Sequence, residues 1–454
     1  MATASTLLGT GALAGPPLTA TPRLLRLLVR DRLGLMNLAA SQYGDAALLR
    51  IGPKRLYVFT HPASAKHVLA DNAANYRKGI GLVQAKRAIG DGLLTSDGEL
   101  WAKQRRMIQP SFQAKRIAAQ ADLVAQEAQR LLARLEAGIG RGPVQLTELM
   151  TELALGVLGS TLLSSDLESV ASIGHSFEAV QDQAMFEMVT LGMLPTWVPW
   201  PKQLRFRRER RRLDEVIDQL VRVRRARGDL DAPDALARLI RSADAEPDPA
   251  VGRRRIRDEL VTLLLAGHET TASTLSWTFH LLDEHPEVQR RVRTELDAVL
   301  GDRPPAYDDL RRLPYTTAVI EEVMRLYPPV WLLPRLAREP DEIAGVRVPA
   351  GADVLISPYL MHRHPAFWPD PERFVPDRFV AGHAAQRPRY AYLPFGAGPR
   401  VCIGSSLAMI ETVFVLATVL RRVSLRKLPG RPVRPEPMLS LRIRGGLPVT
   451  VHPA

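Results

Sequence analysis

The sequence of 454 residues contains a single cysteine, Cys402. One thiol cannot form an internal disulfide, a cysteine-rich zinc site or an iron–sulfur cluster, because each of these needs at least two thiols. A lone cysteine is usually a small buried apolar residue, and otherwise it is a functional thiolate. The residues around Cys402 therefore decide which interpretation applies.

The chain also lacks any long hydrophobic run. The apolar stretch from Leu7 to Leu18 is too short to span a bilayer, is interrupted by Pro16 and Pro17, and has no basic residue ahead of it. We therefore expect a cytoplasmic protein with no membrane anchor and no signal peptide. Internal repeats and low-complexity tracts are absent from the sequence, which favours a single folded domain.

The charge is unbalanced, with 61 basic and 48 acidic residues and a formal net charge of +13. Clustered cations would indicate binding to nucleic acid or to an anionic membrane, but here the arginines are spread along the whole chain. The densest run, at residues 205–212, leads into a helical pattern and is typical of a solvated helix face. No recognisable nucleic-acid-binding module accompanies it, so we expect no nucleic-acid partner.

Hydrophobic periodicity predicts a mainly α-helical protein. Apolar residues recur at spacings of three and four in segments 99–108, 113–137, 145–163, 208–226, 253–284, 286–300 and 315–326. Strands are predicted in two pairs, each around a short turn: 46–51 with 55–60, and 342–348 with 353–358. We expect a single helical domain with small peripheral β-sheets at 41–454, preceded by an N-terminal segment of undefined order at 1–40.

Cys402 lies in a glycine-rich loop just before a strongly apolar helical pattern. The start of a helix favours a thiolate, since its free N–H groups and its dipole stabilise negative charge. Gly398 and Gly404 would allow a tight turn and the close approach of a flat group. Phe395 would shield the sulfur from water, and Arg400 would place a cation beside it. These features favour a metal-ligating thiolate.

The spacing Phe-x-x-Gly-x-Arg-x-Cys-x-Gly around Cys402 resembles the cysteine loop of the cytochrome P450 family, and every fixed position matches. In that family the cysteine thiolate ligates haem iron. The resemblance implies that Cys402 is the axial ligand and that the cofactor is haem b. It also implies the cytochrome P450 fold, one triangular and mostly α-helical domain with small β-sheets.

A second segment places polar groups inside an apolar helical pattern. Residues 259–272 are apolar on nearly all faces but carry Gly267, Glu269 and Thr270. A buried carboxylate is costly without partners, and a glycine beside a threonine can loosen a helix and open a groove for water. An acid, a hydroxyl and water in one groove form a proton relay. The alternative is a solvent-facing Glu269, with Thr270 bonded to its own helical turn.

Residues 266–271 resemble the central-helix pattern of the P450 family, in which an acid and a threonine deliver protons during oxygen activation. The resemblance implies that Glu269 and Thr270 are the catalytic pair and that Ala266 belongs to the cofactor site. His268 occupies the variable position of the pattern and receives no role.

Glu322 and Arg325 lie three residues apart in a helical pattern that prolines terminate. This spacing puts both charges on one helix face. With Arg373 in a later Pro-Glu-Arg-Phe stretch, they resemble the P450 triad that locks a core helix to the following meander. The implied role is structural, because a bidentate arginine–carboxylate network fixes geometry.

Three arginines match P450 positions that hold the haem propionates. Trp101 and Arg105 are one turn apart, in the family's Trp-x-x-x-Arg/His arrangement. Arg335 follows the triad helix, and Arg400 precedes the cysteine by two residues. The resemblance implies that these side chains balance the charge of a buried cofactor. Each arginine by itself would be an ordinary surface charge.

The resemblance spans most of the chain and implies a haem-thiolate monooxygenase that inserts one oxygen atom from O2 into a hydrophobic small molecule. The chain after Cys402 is too short for a flavin reductase, and one cysteine excludes an internal ferredoxin cluster. Electrons are therefore expected from a separate ferredoxin and its reductase, or from a flavodoxin-like donor. Such an acidic partner could be steered by four basic residues: Lys103, Arg106, Lys115 and Arg116. We expect the enzyme to be a monomer.

By family analogy the substrate pocket draws on apolar segments at 80–94, 185–200, 263, 266, 330–333 and 438–441. Their composition favours a terpenoid, a polyketide or a fatty-acid-like substrate, and bacterial secondary metabolism. Two alternatives are open. A peroxide-driven peroxygenase of the same fold would not need the relay, and such relatives usually replace the acid–threonine pair. A non-enzymatic basic binding protein would not bind haem.

Overall fold

The computed structural model describes residues 13–52, 54–164, 170–190, 200–380 and 387–454. The chain forms two compact units. The first unit joins Met1–Ile80, Leu332–Pro371 and Arg387–Val401, and the second joins Gly81–Trp331, Glu372–Gln386 and Cys402–Ala454. The boundary at residue 40 and the single domain stay predictions. The part of the predicted pocket at 191–199 lies outside the described residues, as do residues 1–12.

Helices dominate the described part of the chain, which confirms the predicted fold class. In chain order they are α1 (Thr21–Arg30), α2 (Arg32–Tyr43), α3 (Pro62–Lys66), α4 (Leu82–Ile89), α5 (Gly98–Ile108), α6 (Ala114–Ala119), α7 (Ala121–Ala137), α8 (Leu146–Leu162), α9 (Val170–Val189), α10 (Pro201–Arg227), α11 (Ala235–Asp244), α12 (Pro249–Glu284), α13 (Pro286–Leu300), α14 (Pro314–Leu326), α15 (Pro358–Met361) and α16 (Ser405–Val419). No helix within the described ranges has both the length and the apolar character that a membrane crossing requires.

The strands are short and fall into separate small sheets. They are β1 (Ala46–Ile51), β2 (Lys54–Phe59), β3 (Tyr76–Lys78), β4 (Val144–Gln145), β5 (Leu333–Ala337), β6 (Asp341–Ile343), β7 (Val346–Val348), β8 (Asp353–Ile356), β9 (Val423–Lys427), β10 (Pro435–Pro437), β11 (Leu441–Ile443) and β12 (Pro448–Pro453). The second unit holds the sheet β4-β12-β9 and the hairpin β10-β11, both antiparallel.

The first unit is organised by one mixed sheet with the strand order β1-β2-β8-β5-β3. β2 and β8 run parallel, and the other neighbours run antiparallel. The predicted β1–β2 hairpin is confirmed: Ala46 pairs with Phe59, and the chain turns at Gly52, whose φ is +58°. Buried apolar side chains of this sheet form the core of the unit together with side chains from α3, the β6–β7 hairpin and neighbouring segments.

The predicted single strand at 342–348 is wrong, because this stretch is itself a hairpin. β6 and β7 pair with Ile343 opposite Val346, and the turn residues Ala344 and Gly345 have φ values of +50° and +79°. Such two-residue turns need positive φ at both positions, which the glycine permits. The predicted turn at 349–351 leads to β8, which pairs with β2 and β5.

α12 is the longest helix of the second unit. Its 36 residues span about 54 Å at the usual helical rise. It is buried on nearly all faces between Ile256 and Leu282 and packs mainly against α8 and α11. A Cβ at Gly267 would lie 2.8 Å from the methyl groups of Leu158, so this glycine lets α8 approach α12 closely.

Most predicted helices are confirmed to within a few residues, and α13 agrees at both ends. The predicted helix at 113–137 is instead two helices, α6 and α7. Gln120 separates them with φ −105° and ψ 1°, and its Nε2 donates to the Thr161 carbonyl at 2.5 Å. A contact with α8 therefore interrupts a helix that the apolar spacing alone predicts as continuous.

Candidate active site

Cys402 follows a 3-10 turn at Gly398–Arg400 and precedes α16, which begins at Ser405. The backbone N–H of Gly404 donates to the sulfur. The side chain is accessible although protein atoms surround its loop. The thiol therefore faces an opening and does not fill the core as a small apolar residue would.

Burial raises the pKa of the Cys402 thiol above its ordinary value, while the Gly404 N–H and the Arg105 charge lower it. In the protein without a bound cation, burial thus outweighs the predicted stabilisation of the thiolate by the helix end, and the net effect on the thiol pKa is a rise. A coordinating cation deprotonates such a thiol. One accessible sulfur with a nearby cation is a donor set that fits haem iron.

α5 brings two of the predicted propionate contacts toward this loop. The guanidinium carbon of Arg105 lies 5.7 Å from the ring centroid of Trp101, and both side chains are half-buried. Burial lowers the pKa of Arg105, and the charge of Cys402 opposes that shift. Just after α5, the Phe112 ring lies 3.6 Å from where a Cβ at Gly404 would be. Arg105 and Trp101 therefore lie on the cysteine side of the unit.

Four other predicted cofactor contacts belong to the first unit. Arg335 on β5 is buried, and its Nη1 donates to the preceding carbonyl at 3.0 Å. Gly398 has φ +69°, and a Cβ there would lie 1.7 Å from the carbonyl oxygen of Leu69. The backbone of the protein therefore already requires glycine at this position, apart from any cofactor. Phe395 and Arg400 are half-buried.

The predicted acid and alcohol lie mid-way along α12. The helix is continuous here, so the expected loosening at Gly267 is not observed, and that glycine serves packing instead. Thr270 Oγ1 donates to the Ala266 carbonyl at 2.8 Å. Ala266 is exposed and Thr270 is half-buried. This hydroxyl therefore lies on an accessible stretch of an otherwise buried helix.

Glu269 is held by the β10–β11 hairpin. Its Oε1 accepts a hydrogen bond from Ser440 Oγ at 2.8 Å. Burial raises its pKa to about 7, although the Ser440 bond and the charge of Arg442 lower it. A carboxyl with this pKa exchanges protons readily at neutral pH.

Glu269 also lines a polar cleft of about 420 Å³. The cleft is bordered by α8, α9 and the β10–β11 hairpin, and its charged lining residues include Glu148, Glu152, Glu178, Glu436 and Arg442. Arg442 Nε donates to Glu436 Oε2 at 2.9 Å. The carboxyl of Glu269 is thus connected to a polar surface rather than sealed in the core.

Sequence reasoning missed Ser440 and Arg442, since residues 438–441 were interpreted only as an apolar pocket segment. Two polar residues that alternate with Leu441 and Ile443 were the available signal. His268, which received no role, is buried beside Phe177, and its Nδ1 lies 2.6 Å from the Leu264 carbonyl. Burial lowers the pKa of His268 to about 4, so the ring is neutral and contributes to packing.

The Glu322–Arg325 pair is fully buried and bidentate. Arg325 Nε donates to Glu322 Oε2 at 2.6 Å, and Nη2 donates to Oε1 at 2.8 Å. Arg325 Nη2 also donates to the backbone carbonyl of Arg373 at 2.9 Å, and Glu322 Oε1 accepts from the Val375 N–H at 2.8 Å. Arg378, which the sequence did not indicate, lies 3.4 Å from Glu322 Oε1. The pair thus fastens α14 to the backbone at 373–375.

The family model for cytochrome P450 matches residues 15–448. The chain belongs to the cytochrome P450 family. It is a haem-iron monooxygenase, as the cysteine loop and the central-helix pattern predicted.

Three relatives of this P450 come from Streptomyces. Cyclooctatin synthase of Streptomyces melanosporofaciens is 38% identical over 402 residues, which cover 88% of this chain and 87% of the relative. Cyclooctat-9-en-7-ol 5-monooxygenase of the same organism is 38% identical, with 86% and 84% covered. Pentalenene oxygenase of Streptomyces avermitilis is 34% identical, with 90% of each chain covered.

Arg325→Ala should lower the free energy of unfolding of the P450 by about 3–5 kcal/mol, because it leaves the Glu322 carboxylate buried without its partner. Chemical denaturation measures this change. The matched control is Arg205→Ala, which breaks an exposed ion pair in which Arg205 Nη2 lies 2.8 Å from Glu178 Oε2. This control should change the free energy of unfolding by less than about 1 kcal/mol. Equal losses in the two variants would contradict the structural role of the buried pair.

The raised pKa of Glu269 predicts a pH-dependent stability. The folded protein keeps this carboxyl protonated up to a pH of about 7, whereas the unfolded chain ionises it near 4.5. Stability is therefore lost as pH rises between these values, and Glu269→Gln removes that loss. We expect Glu269→Gln to be more stable than the wild type above pH 7, and the difference to vanish below pH 4.5.

Ser440→Ala is the companion variant for this experiment. It keeps the carboxyl but removes a hydrogen bond that lowers the pKa of Glu269. The pH range over which stability falls should therefore extend upward. Denaturation curves across the pH range measure the free energy of unfolding of both variants. A difference between Glu269→Gln and the wild type that does not change with pH would refute the raised pKa of Glu269.

Proposed function

We propose that this P450 inserts one oxygen atom from O2 into a cyclic terpenoid, with haem b as cofactor and electrons from a separate redox protein. Two of its relatives are named for oxygenation of cyclooctat-9-en-7-ol and of pentalenene. The accessible part of α12 beside Thr270 includes Ala266 and follows the buried Leu263, so a substrate there would meet apolar surface.

The pairing of Glu269 with Thr270 carries the proposal. Consecutive helical residues point about 100° apart, so the two side chains serve different sides of α12. Glu269 lines the polar cleft directly, and Thr270 lies on the accessible turn beside Ala266. This arrangement supports transfer of protons from a polar surface to a site of oxygen activation.

Each side chain has a defined part in this transfer. The Thr270 hydroxyl donates its hydrogen bond to the Ala266 carbonyl, so its lone pairs remain available to accept a hydrogen bond from water. Glu269 takes a proton from the cleft. It then leaves its bond to Ser440, rotates toward Thr270 and releases the proton to the water that the Thr270 hydroxyl holds.

Cys402 would ligate the haem iron, and Arg105 and Trp101 would hold a propionate from α5. We assign the other predicted contacts, Arg335 and Arg400, to propionates as well. When bound, the haem supplies the redox chemistry that activates dioxygen. The triad residues keep α14 and the following segment in place.

A separate ferredoxin or flavodoxin-like protein is the proposed electron donor. Lys103, Arg106 and Lys115 are exposed on α5 and α6, the helices on either side of the Phe112 turn, which lies near Gly404 of the cysteine loop. Lys103 pairs with Glu246 at 3.0 Å, which reduces its free charge. Arg106 and Lys115 are therefore the stronger candidates for attracting an acidic partner.

A peroxide-driven reaction is the alternative within the same family. It would make the relay unnecessary, and it is disfavoured because both Glu269 and Thr270 are present. The proposed monooxygenase reaction needs two protons for each oxygen molecule that is cleaved, and these two residues would deliver them.

Substrate class is tested with purified ferric enzyme and a panel of ligands. Cyclooctat-9-en-7-ol, pentalenene and other cyclic terpenoids should displace water from the iron and shift the spectrum from low to high spin. Fatty acids and polyketides of similar size are the comparison set. A shift with these alone would contradict the terpenoid assignment.

Cys402→Ser should abolish the thiolate-type Soret band with CO. A band that persists would refute Cys402 as the ligand of the haem iron.

Thr270→Ala should uncouple oxygen consumption from product formation by at least about tenfold, since a group positioned for proton transfer typically contributes that much or more. The measurement is the ratio of product formed to oxygen consumed. Thr270→Ser keeps the hydroxyl and should restore coupling. Thr278→Ala removes a buried, back-bonded hydroxyl two turns further along α12 and should leave coupling unchanged. Full coupling in Thr270→Ala would remove the relay assignment.

A further inference from the structure

The outer face of α1 exposes a row of apolar side chains. Leu18, in the short 3-10 turn that leads into the helix, is 71% exposed, Leu25 is 44% exposed and Val29 is 57% exposed. Three of the nine large apolar side chains that are exposed in the described part of the chain thus lie within twelve residues. Helical spacing aligns them along one side of α1.

A second row beside the first is cationic. Arg23, Arg26 and Arg30 are three and four residues apart, and all are exposed. Within the described ranges none of them forms an ion pair or a side-chain hydrogen bond. Their charges are therefore available to an external anion.

Acids that could neutralise this row are scarce around it. α1 packs against α2 and β1, neither of which contains an acidic residue. Asp31 follows the helix, but its carboxylate accepts the Gly34 N–H at 2.9 Å as the N-cap of α2. The sequence of residues 1–12 also contains no acid.

The inner face holds α1 in place. Leu24 is 1% exposed and packs into the first unit. The helix therefore presents its apolar and basic rows from a fixed position and does not need to fold on binding. A short helix with adjacent apolar and arginine rows is the pattern that lies in the headgroup region of a lipid bilayer.

We propose that this α1 face, defined by Leu18, Arg23, Leu25, Arg26, Val29 and Arg30, binds the surface of an anionic lipid bilayer. The arginines would contact lipid phosphates, and the apolar row would insert between headgroups. Nucleic acid would use the cations but not the apolar row. A second copy of the chain would bring arginines against arginines. An anionic bilayer satisfies both rows at once.

Sedimentation of the full-length protein with vesicles tests the proposal. Wild type should bind phosphatidylcholine vesicles that contain phosphatidylglycerol, should not bind pure phosphatidylcholine, and should be released by salt. The triple variant Arg23→Gln, Arg26→Gln, Arg30→Gln should bind at least about tenfold more weakly. Leu25→Asp with Val29→Asp should also weaken binding, although every arginine remains.

Matched controls separate this surface from the general positive charge. Arg227→Gln, Arg253→Gln and Arg254→Gln remove the same charge from exposed positions on α10 and α12 and should leave binding within about twofold. Val83→Asp with Val223→Asp is the apolar control. The CO-bound spectrum verifies that each variant is folded, independently of lipid binding and of substrate.

Three results would overturn the proposal. The first is wild-type protein that does not bind anionic vesicles at low salt. The second is an equal loss of binding in the control triple, which would indicate attraction by net charge alone. The third is full binding by the Leu25→Asp, Val29→Asp variant, which would indicate a polyanion or an acidic protein as the partner of the arginines.

Discussion

The burial of α12 is the constraint on which the second unit depends. A helix buried on nearly every face must find partners for each polar group that it carries. At one end, Asp258 and Glu259 accept backbone N–H groups from residues 91 and 93, at 2.9 and 3.1 Å. Near the middle, Ser273 and Trp277 donate to the Leu441 carbonyl at 2.7 and 2.9 Å. The hydrogen bonds of these α12 side chains thus position the loop before α5 and the β10–β11 hairpin.

The same burial gives two acids of α12 different properties. It raises the pKa of Glu259 to about 8 and that of Glu269 to about 7. Glu259 has Asp258 as a neighbour and lines a small cavity of about 20 Å³. Glu269 has a serine and an arginine nearby and opens onto a polar cleft of about 420 Å³. The two acids therefore differ in their access to solvent more than in their pKa.

The sequence predicted what is encoded locally. Apolar spacing indicated α12 and α14, and the motif around Cys402 indicated the cofactor and the family. It could not predict what depends on distant segments: the break at Gln120 comes from a contact with α8, and Ser440 meets Glu269 from another part of the chain. Arg373 was predicted to join Glu322 and Arg325 through its side chain, and in the structure its backbone carbonyl accepts a hydrogen bond from Arg325. Burial, which reverses the expected pKa shift of Cys402, is likewise a property of the folded state.

The hairpin that holds Glu269 has a consequence for how the protein is made. Ser440 follows Glu269 by 171 residues in the chain. A ribosome that adds 5–20 residues per second needs about 10–30 s to cover that separation. During this time α12 has been synthesised but lacks the serine and the carbonyl that later satisfy its polar side chains. The nascent chain therefore carries a long helix whose central apolar part lacks these partners until the hairpin has been synthesised.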